Sequence, residues 1–376
     1  MIGLSAPRTQ PEGRTMMPAA EGVADITDPS DLVRRAVEDG TVPGAVLITG
    51  RGTAGEAHTS SYGVTASGPS GRPVTAGTVF DLASLTKVVA TLPAVLRLAD
   101  RGDLDLDDPV SRHLPRFDGS GKEQVTIRQL LSHTSGLPPH REYWQLPGDR
   151  ADRLTAVLRE PLEHPPGKVV QYSDVGFILL GEIVGRVADA PLDSAVRDLV
   201  LDPLGLGTVR YLPPAEWRAH TAATEAASDG EPKWGVVHDE NAESLGGVAG
   251  HAGLFGTAPD LAHYLRACWL SEESVLSRRM RTEALNLQTR GLNGARGLGW
   301  TLPGDHWDHM SPHWPSSGAG HTGFTGTSLA LDPVSGIWVV LLTNAVHYGR
   351  GARAKALRRA VHAAVARTES ALPHGS

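Results

Sequence analysis

The pattern of hydrophobic and polar positions divides the chain into a strand-forming beginning, a helical middle and a strand-forming end. Near the beginning, a helix entry at Asp28 is followed by an apolar run over residues 45–49 and a return run over residues 56–62. These patterns predict one helix and then two antiparallel strands. We therefore expect an antiparallel sheet to start in this part of the chain.

The middle of the chain, from about residue 82 to residue 284, has short apolar runs at helical spacing, separated by proline and glycine. This pattern predicts short helices and loops. One longer helix is predicted over residues 175–187, where Gly176, Gly181 and Gly185 are spaced for close packing against a neighbouring element. The middle of the chain is therefore mainly helical.

Beyond residue 295 the pattern returns to strands. A hairpin turn over residues 332–336 precedes the nearly continuous apolar run of residues 337–343. Such a run is typical of a strand in the centre of a sheet, buried on both faces. A basic amphipathic helix over residues 352–367 follows, and we expect it to pack on that sheet.

Together these elements predict an α+β fold, with an antiparallel sheet flanked by N- and C-terminal helices and a mainly helical insertion. Residues 26–81 and 285–376 would form the sheet domain and residues 82–284 the helical domain, with the active site in the cleft between them. Residues 1–25 are rich in proline, glycine and alanine, which predicts a flexible leader. Met16 and Met17 lie within it and offer alternative starts.

Composition narrows the classes of partner and site. The chain has 376 residues and a formal net charge of −7, so we expect neither nucleic acid nor a membrane surface as partner. No apolar run is long enough for a secretory signal or a membrane span, which favours a cytoplasmic protein. The single cysteine, Cys268, excludes an intramolecular disulfide and a multi-cysteine metal site. No cofactor is expected, and the sequence carries no signal for an oligomeric state.

The candidate nucleophile is Ser84, which stands where a helix is predicted to begin, with Lys87 one turn later on the same face. A serine hydroxyl needs a base within hydrogen-bond reach, and a lysine can be that base if burial and nearby positive charge lower its pKa. The helix N-terminus offers free N–H groups to a developing oxyanion. Taken alone, the pair also fits an N-capping serine and a solvated lysine.

Other polar residues have structural interpretations that we weigh against chemical ones. His133 could be a catalytic base, but we prefer a buried histidine that holds a turn, because Lys87 already serves the serine. The glycine-dense loop of residues 246–256 lacks the lysine of a phosphate loop, so we expect it to border a cleft that His251 lines. His306, His309 and His313 share one loop with no frame to orient them around a metal ion.

Three motifs occur in order along the chain: Ser84-Leu85-Thr86-Lys87, Tyr172-Ser173-Asp174 and His321-Thr322-Gly323. The set resembles the motifs of the serine β-lactamase and penicillin-binding-protein family, in particular its branch of class C β-lactamases and carboxylesterases. Supporting stretches at residues 104–110, 130–137, 203–206 and 320–326 also resemble that family. The resemblance covers nearly the whole chain and implies a β-lactamase/transpeptidase-like fold.

The resemblance implies a role for each motif. Ser84 would attack a carbonyl and form an acyl-enzyme, while Lys87 and Tyr172 would share the general acid and base work, the lysine holding the pKa of the tyrosine down. Which of the two takes the serine proton stays open. The backbone N–H groups of Ser84 and Phe324 would form the oxyanion hole. The residues expected to contact substrate are Asp174, His251, His321, Thr322 and Gly323.

Two positions depart from the pattern of this branch. Asp174 stands where asparagine is usual, and an ionised carboxylate cannot donate a hydrogen bond to a substrate carbonyl. Asp174 also fits a helix N-cap. His321 stands where lysine is usual, and a neutral histidine recognises a substrate carboxylate less well. Both changes favour an esterase, an acyltransferase or a peptidase of altered specificity.

The predicted function is therefore a serine hydrolase that acts through an acyl-enzyme on the ester, lactam or peptide carbonyl of a small molecule. The first alternative is an acyltransferase that moves the acyl group from Ser84 to a small acceptor. A further alternative is a penicillin-binding sensor with little turnover. A hydrolase of the α/β type is disfavoured, because the nearest match to its serine motif, residues 326–330, lacks the last glycine. A zinc hydrolase is disfavoured because its paired-histidine motif is missing from the sequence.

Overall fold

A computed structural model describes residues 28–225, 231–351 and 353–371. The predicted leader, residues 1–25, lies outside the described residues. Eight strands are present in this part of the chain: β1 (Gly44–Arg51), β2 (Ala57–Gly63), β3 (Phe80–Asp81), β4 (Arg210–Tyr211), β5 (Leu254–Gly256), β6 (Ala319–Thr322), β7 (Ser328–Leu331) and β8 (Ile337–Thr343).

The α-helices of the described residues lie mostly between β3 and β6. They are α1 (Pro29–Glu38), α2 (Leu92–Arg101), α3 (Val110–His113), α4 (Ile127–Leu131), α5 (Arg150–Arg159), α6 (Asp174–Val187), α7 (Leu192–Val196), α8 (Glu240–Ser244), α9 (Ala258–Tyr264), α10 (Arg278–Leu285) and α11 (Arg353–Ala371). Wide π turns extend α7 and α9 at their C-terminal ends and precede α2 over Lys87–Thr91.

The main sheet is built by both ends of the chain. Its five strands are antiparallel and run in the order β2-β1-β8-β7-β6, so the central strand β8 comes from the end of the chain and pairs with β1 from the beginning. This is the arrangement that the two strand-forming regions predict.

Each face of the sheet is covered by helices. Val46 and Ile48 of β1 lie opposite Leu342 and Val340 of β8, and all four side chains join the large core shared with the helical region. The alternate residues of both strands face the other way, into a smaller core with α1 and α11. Because successive side chains of a strand point to opposite faces, a strand buried on both sides reads as one apolar run.

A second sheet, which the sequence pattern did not predict, lies within the helical region. Its order is β3-β5-β4, and two of these strands have only two residues each. Strands this short leave almost no alternation in the sequence. The sheet matters because β3 ends just before Ser84, while β5 follows the glycine-dense loop that contains His251.

The helix that carries Lys87 is irregular just before Pro93. The wide turn over Lys87–Thr91 ends where α2 begins at Leu92, one residue before the proline. Proline has no N–H to donate, so the regular pattern of backbone hydrogen bonds is interrupted there. The carbonyl of Val88 in the wide turn instead accepts a hydrogen bond from the Tyr264 hydroxyl.

The close packing expected of α6 occurs at Gly181, which faces Gly250 in the glycine-dense loop. A Cβ on Gly250 would lie 2.1 Å from the carbonyl oxygen of Phe177 and 2.8 Å from the backbone nitrogen of Gly181. The same loop accepts a hydrogen bond from Thr91 at the Gly250 carbonyl. The glycines therefore let α6 and the loop approach the helix of Lys87 together.

We predict that Gly250→Ala destabilises the protein by about 3 kcal/mol, because the methyl group meets backbone atoms that cannot rotate away. The measurement is the free energy of unfolding from urea titration. Gly207→Ala is the matched control, since a Cβ there meets nothing within 4 Å. Equal stability of the two variants would contradict this account of the contact between α6 and the loop.

Candidate active site

The backbone before Ser84 is held in an uncommon conformation. Ala83 has a φ of +47°, a left-handed value that costs a residue with a side chain about 1–2 kcal/mol. The buried carboxylate of Asp81 maintains it by accepting hydrogen bonds from the Ala83 N–H at 2.8 Å and the His238 N–H at 2.7 Å. The chain thereby turns sharply from β3 into the first helical turn, Ala83–Leu85, and presents Ser84 at its start.

Lys87 is fully buried and its ammonium nitrogen is surrounded by three oxygen atoms. Nζ donates hydrogen bonds to Ser84 Oγ at 2.9 Å and to the His251 carbonyl at 3.1 Å. The carboxylate of Asp174 forms an ion pair with Nζ at 2.7 Å, but Oδ1 lies off the hydrogen-bond direction. Two hydrogen-bond acceptors and a carboxylate anion suit a protonated lysine, which has three N–H donors and no acceptor.

Asp174 is the first residue of α6 and Ser173 is its N-cap, so the N-cap interpretation of Asp174 is wrong. The Ser173 hydroxyl accepts a hydrogen bond from the Gly176 N–H at 3.1 Å. This cap leaves the Asp174 carboxylate free to reach Lys87, and its second oxygen lies 3.7 Å from His140 Nδ1. Burial raises the pKa of Asp174, but Lys87 and His140 lower it far more, so the carboxylate stays ionised.

The protonation pattern differs from the one the sequence led us to expect. Burial has the largest single effect on Lys87 and lowers its pKa, but the charges and hydrogen bonds of Asp174 and Tyr172 together raise it by more, and the net pKa is above the usual lysine value. Burial raises the pKa of Tyr172, and although Lys87 lowers it, the net pKa is also above the usual value. The expected depression of both pKa values is therefore wrong: burial is the main cause at Tyr172, and at Lys87 the negative charge of Asp174, where asparagine would be neutral, acts with Tyr172 to outweigh burial.

Tyr172 lies at the centre of the site. Its hydroxyl is near enough to Lys87 and Ser84 for both to lower its pKa. Its ring centroid is 4.5 Å from that of His133 and 6.1 Å from that of His321. The guanidinium of Arg296 lies over the same ring at 5.7 Å. The tyrosine is thus fixed in orientation by its neighbours.

His133 is buried, as the sequence suggested, and its side chain holds the segment just before α6. Its Nδ1 accepts a hydrogen bond from the Ser173 N–H at 3.0 Å, and its backbone has a φ of +58°. Burial, and then the charge of Arg296, keep the pKa of His133 well below the usual value. A neutral ring with one nitrogen accepting this bond packs against Tyr172 and positions it.

His321 and Gly323 bring the end of β6 against the nucleophile. A Cβ on Gly323 would lie 2.5 Å from the Leu82 carbonyl oxygen, so only glycine allows this approach. Thr325 Oγ1 donates to the Asp81 carbonyl at 2.7 Å and ties the following turn to β3. Burial, and then the charge of Lys87, hold the pKa of His321 well below the usual value, so this side chain is neutral.

Among the described residues, two backbone N–H groups at the nucleophile, those of Ser84 and Phe324, have no acceptor. Ser84 is in the first turn of a helix, where N–H groups lack intrahelical partners. The Phe324 N–H makes no hydrogen bond to any residue in the part of the chain that the structure describes. The Phe324 side chain is 58% exposed and stacks on His238. Unpaired donors of this kind are what an oxyanion hole requires.

His251 contributes its backbone rather than its side chain. The side chain is 1% exposed, and Nε2 lies 2.9 Å from Asp239 Oδ1. Its carbonyl oxygen accepts from Lys87. The expectation that the His251 side chain lines an open cleft is therefore wrong, because the close packing of the glycine-dense loop buries it.

Sequence reasoning missed a group of residues on the far side of Tyr172. Arg296 is buried and pairs with Asp305 at 3.0 Å, and a cavity of about 240 Å³ lies beside them. Its lining comprises Val170, Tyr172, Asn293, Gly294, Arg296, Asp305, His306 and Trp307. No motif marks these residues, since they come from a loop region about 130 positions after Tyr172 and meet it only in the folded chain.

The histidines of the loop at residues 306–313 separate in the structure. His309 is buried against His362, whereas His306 contacts Trp307 edge-on near the cavity. Within residues 28–225, 231–351 and 353–371, no three histidine, cysteine or acidic side chains are grouped to hold a metal ion. Over the same ranges, no helix is both long and apolar enough to cross a membrane.

Comparisons with known proteins agree with the motifs and the fold. A family model described as Beta-lactamase matches residues 30–364. The "Putative D-alanyl-D-alanine carboxypeptidase" of Escherichia coli (strain K12) is 34% identical over 307 residues, which cover 73% of this chain and 70% of that protein.

Two solved structures show the same fold. EstCE1, a hydrolase with promiscuous acyltransferase activity, has 24% identity and a TM-score of 0.71, covering 89% of this chain and 97% of its own. The beta-lactamase/D-alanine carboxypeptidase from Yersinia pestis, complexed with citrate, has 22% identity and a TM-score of 0.70, covering 92% of this chain and 99% of its own. The α+β fold prediction and the resemblance read from the motifs are confirmed: this chain belongs to the beta-lactamase family of serine hydrolases.

Proposed function

We propose that this enzyme hydrolyses a small acyl substrate through an acyl-enzyme on Ser84, with Lys87 and Tyr172 moving the protons. The observation that carries the proposal is the contact of Ser84 Oγ with Lys87 Nζ at 2.9 Å, beside the Tyr172 hydroxyl. The unpaired N–H groups of Ser84 and Phe324 would receive the oxyanion. A nucleophile, a proton carrier and oxyanion donors then converge on one point.

The number of protons held by Lys87 and Tyr172 defines the active form of the site. At rest, Lys87 carries its proton and Tyr172 is neutral, because both pKa values are raised. The active form has one proton fewer, and Lys87 and Tyr172 share the proton that remains. This pair takes the Ser84 proton as Oγ attacks the carbonyl carbon, and returns it to the leaving group. In deacylation, water gives a proton to the pair and attacks the acyl carbonyl. The acyl group is released, and the pair returns the proton to Ser84.

The substrate class follows from the charges around the site. A neutral His321 offers no cation to a substrate carboxylate, and Asp174 is an anion held on Lys87. Both features favour esters without a carboxylate near the scissile bond. A peptide that ends in D-alanine, the substrate class suggested by the name of the Escherichia coli relative, is the comparison to test.

Acyl transfer is the second candidate function. The cavity of about 240 Å³ next to Tyr172 is lined by the exposed indole of Trp307 and can hold a small acceptor beside the acyl group. An acceptor bound there would take the place of water, and the Lys87–Tyr172 pair would accept its proton in the same way.

The proposal extends to the domains and the location of the enzyme. Ser84, Lys87 and Tyr172 come from the predicted helical domain, residues 82–284, and the Phe324 N–H comes from the sheet domain. This supports an active site in a cleft between the two domains.

A cytoplasmic location is supported by the single cysteine, which allows no intramolecular disulfide.

We predict that a short p-nitrophenyl ester and a fluorophosphonate both modify Ser84, and that Ser84→Ala abolishes the labelling and lowers turnover at least about 10³-fold. Intact-protein mass spectrometry, beside an absorbance trace of the ester, is the measurement. Ester turnover should exceed turnover of a penicillin and of a D-alanyl-D-alanine peptide. Retained turnover in Ser84→Ala would refute the mechanism, and a stable adduct without turnover would favour the sensor alternative.

We predict that Asp174→Asn moves the rising limb of the pH profile of kcat/KM toward lower pH. The Asp174 charge raises the pKa of both Lys87 and Tyr172, so its removal lets the pair lose a proton more easily, whichever member holds it. The control is Asp202→Asn, an exposed carboxylate beside Arg197. A limb that stays in place or moves to higher pH would contradict the assignment of Asp174.

A further inference from the structure

Arg358 on α11 is a half-buried cation that the proposed mechanism does not use. In the part of the chain that the structure describes, it forms no ion pair, and burial lowers its pKa to about 10, so it is still charged at neutral pH. Burying a guanidinium without a carboxylate is unfavourable, and apolar residues are usually more stabilising in such positions. The contact it makes therefore requires a reason other than stability.

That contact is with the peptide group next to Ser84. The Nη2 of Arg358 donates a hydrogen bond to the carbonyl oxygen of Gly323. The same oxygen accepts from the Gly326 N–H at 3.1 Å, so its hydrogen bonding does not depend on the arginine alone. The arginine adds a charged donor to a carbonyl that already has a neutral one.

The carbonyl of Gly323 and the N–H of Phe324 belong to one peptide unit. Because the amide is delocalised, a cation that draws electron density toward the oxygen leaves the nitrogen more positive and makes its N–H a stronger donor. The Phe324 N–H has no acceptor among the described residues and is the second donor of the proposed oxyanion hole. The charge beside the carbonyl oxygen of this peptide would thus strengthen the donor on its N–H side, where the substrate carbonyl binds.

The position of this peptide is also fixed relative to the nucleophile. Gly323 packs directly on Leu82 and Ala83, and its own N–H donates to the Thr327 carbonyl at 2.8 Å. Arg358 reaches the peptide from the helix that covers the opposite face of the sheet. The peptide is therefore held between the backbone before Ser84 on one side and the arginine on the other.

We propose that Arg358 is a positioning residue that orients and polarises the Gly323–Phe324 peptide, and so strengthens the oxyanion hole. This inference rests on the proposed function and deepens it by naming a residue outside the three motifs. Arg358 touches neither substrate nor reacting atoms and acts only through the peptide. Its removal should lower the rate of acylation while leaving Ser84, Lys87 and Tyr172 in place.

The test uses the full-length protein and compares Arg358→Met with the wild type. We expect Arg358→Met to be at least as stable to urea as the wild type, because it replaces a half-buried charge without an ion pair by a residue of similar length. We expect kcat on an oxygen ester to fall about tenfold, less than the loss of about 10²–10³ seen when an oxyanion donor is removed entirely. The loss of kcat on the matching thionoester should be smaller, because a sulfur anion accepts weaker hydrogen bonds from the oxyanion hole.

A spectroscopic readout separates polarisation from a general structural effect. The acyl-enzyme formed with a ¹³C-carbonyl ester is measured by difference infrared spectroscopy, and its carbonyl stretch should move to higher frequency in Arg358→Met because the hydrogen bonds to it weaken. Arg358→Lys, which keeps the charge, should recover part of both effects. Arg359→Met is the control, because this neighbour on the same helix is exposed.

The outcomes distinguish this inference from the proposed function. An unchanged carbonyl stretch and unchanged kcat in Arg358→Met, with Ser84 acylated in both proteins, would overturn the role of Arg358 alone. Failure of wild-type Ser84 to acylate would overturn the proposed function and this inference together. If Arg358→Met does not fold, Arg358→Gln is used instead, because its amide keeps a donor but carries no charge. Compared with Arg358→Lys, the Arg358→Gln variant should then show the same higher frequency of the carbonyl stretch and the same loss of kcat.

Discussion

The buried ammonium of Lys87 is the interaction on which the site depends. It contacts Ser84 Oγ from its own helix, Asp174 from the start of α6 and the His251 carbonyl from the glycine-dense loop. Removing an ammonium group from water is costly unless ionic and polar partners replace the solvent. The helices of the middle region must therefore assemble around this one nitrogen, and the contacts between Gly181 and Gly250 are part of that requirement.

A second constraint is the backbone on either side of the nucleophile. Ala83 is in a left-handed conformation that Asp81 maintains, and Gly323 approaches so closely that no side chain fits there. Such strain persists only where the surroundings fix it. The result is a rigid frame in which the N–H groups of Ser84 and Phe324 have no acceptor in the described part of the chain, and the Arg358 contact to the peptide of Phe324 belongs to the same frame. Rigidity of this kind suits a site that stabilises charge formed during a reaction.

The motifs predicted which residues meet, but not how they are charged. Ser84 and Lys87 are one helical turn apart, so their contact follows from local geometry. Tyr172 was placed by resemblance, and its contacts with His133 and Arg296 had no signal in the sequence. The pKa expectation failed for two reasons: it left out burial, which is the main cause of the raised pKa of Tyr172, and it left out the carboxylate of Asp174 beside Lys87. At Lys87 the charges and hydrogen bonds of Asp174 and Tyr172 together outweigh the opposite effect of burial.

The sequence by itself determined the α+β class, the sheet built from both ends of the chain and the order of the catalytic motifs. It could do so because strand and helix periodicity and short motifs are local properties of neighbouring residues. Only the tertiary structure decided that His251 is buried, that Ser173 rather than Asp174 caps α6 and that Arg358 lies behind the Gly323–Phe324 peptide. Those features depend on contacts between residues far apart in the chain, and burial, charge and hydrogen-bond direction are fixed only once those residues meet.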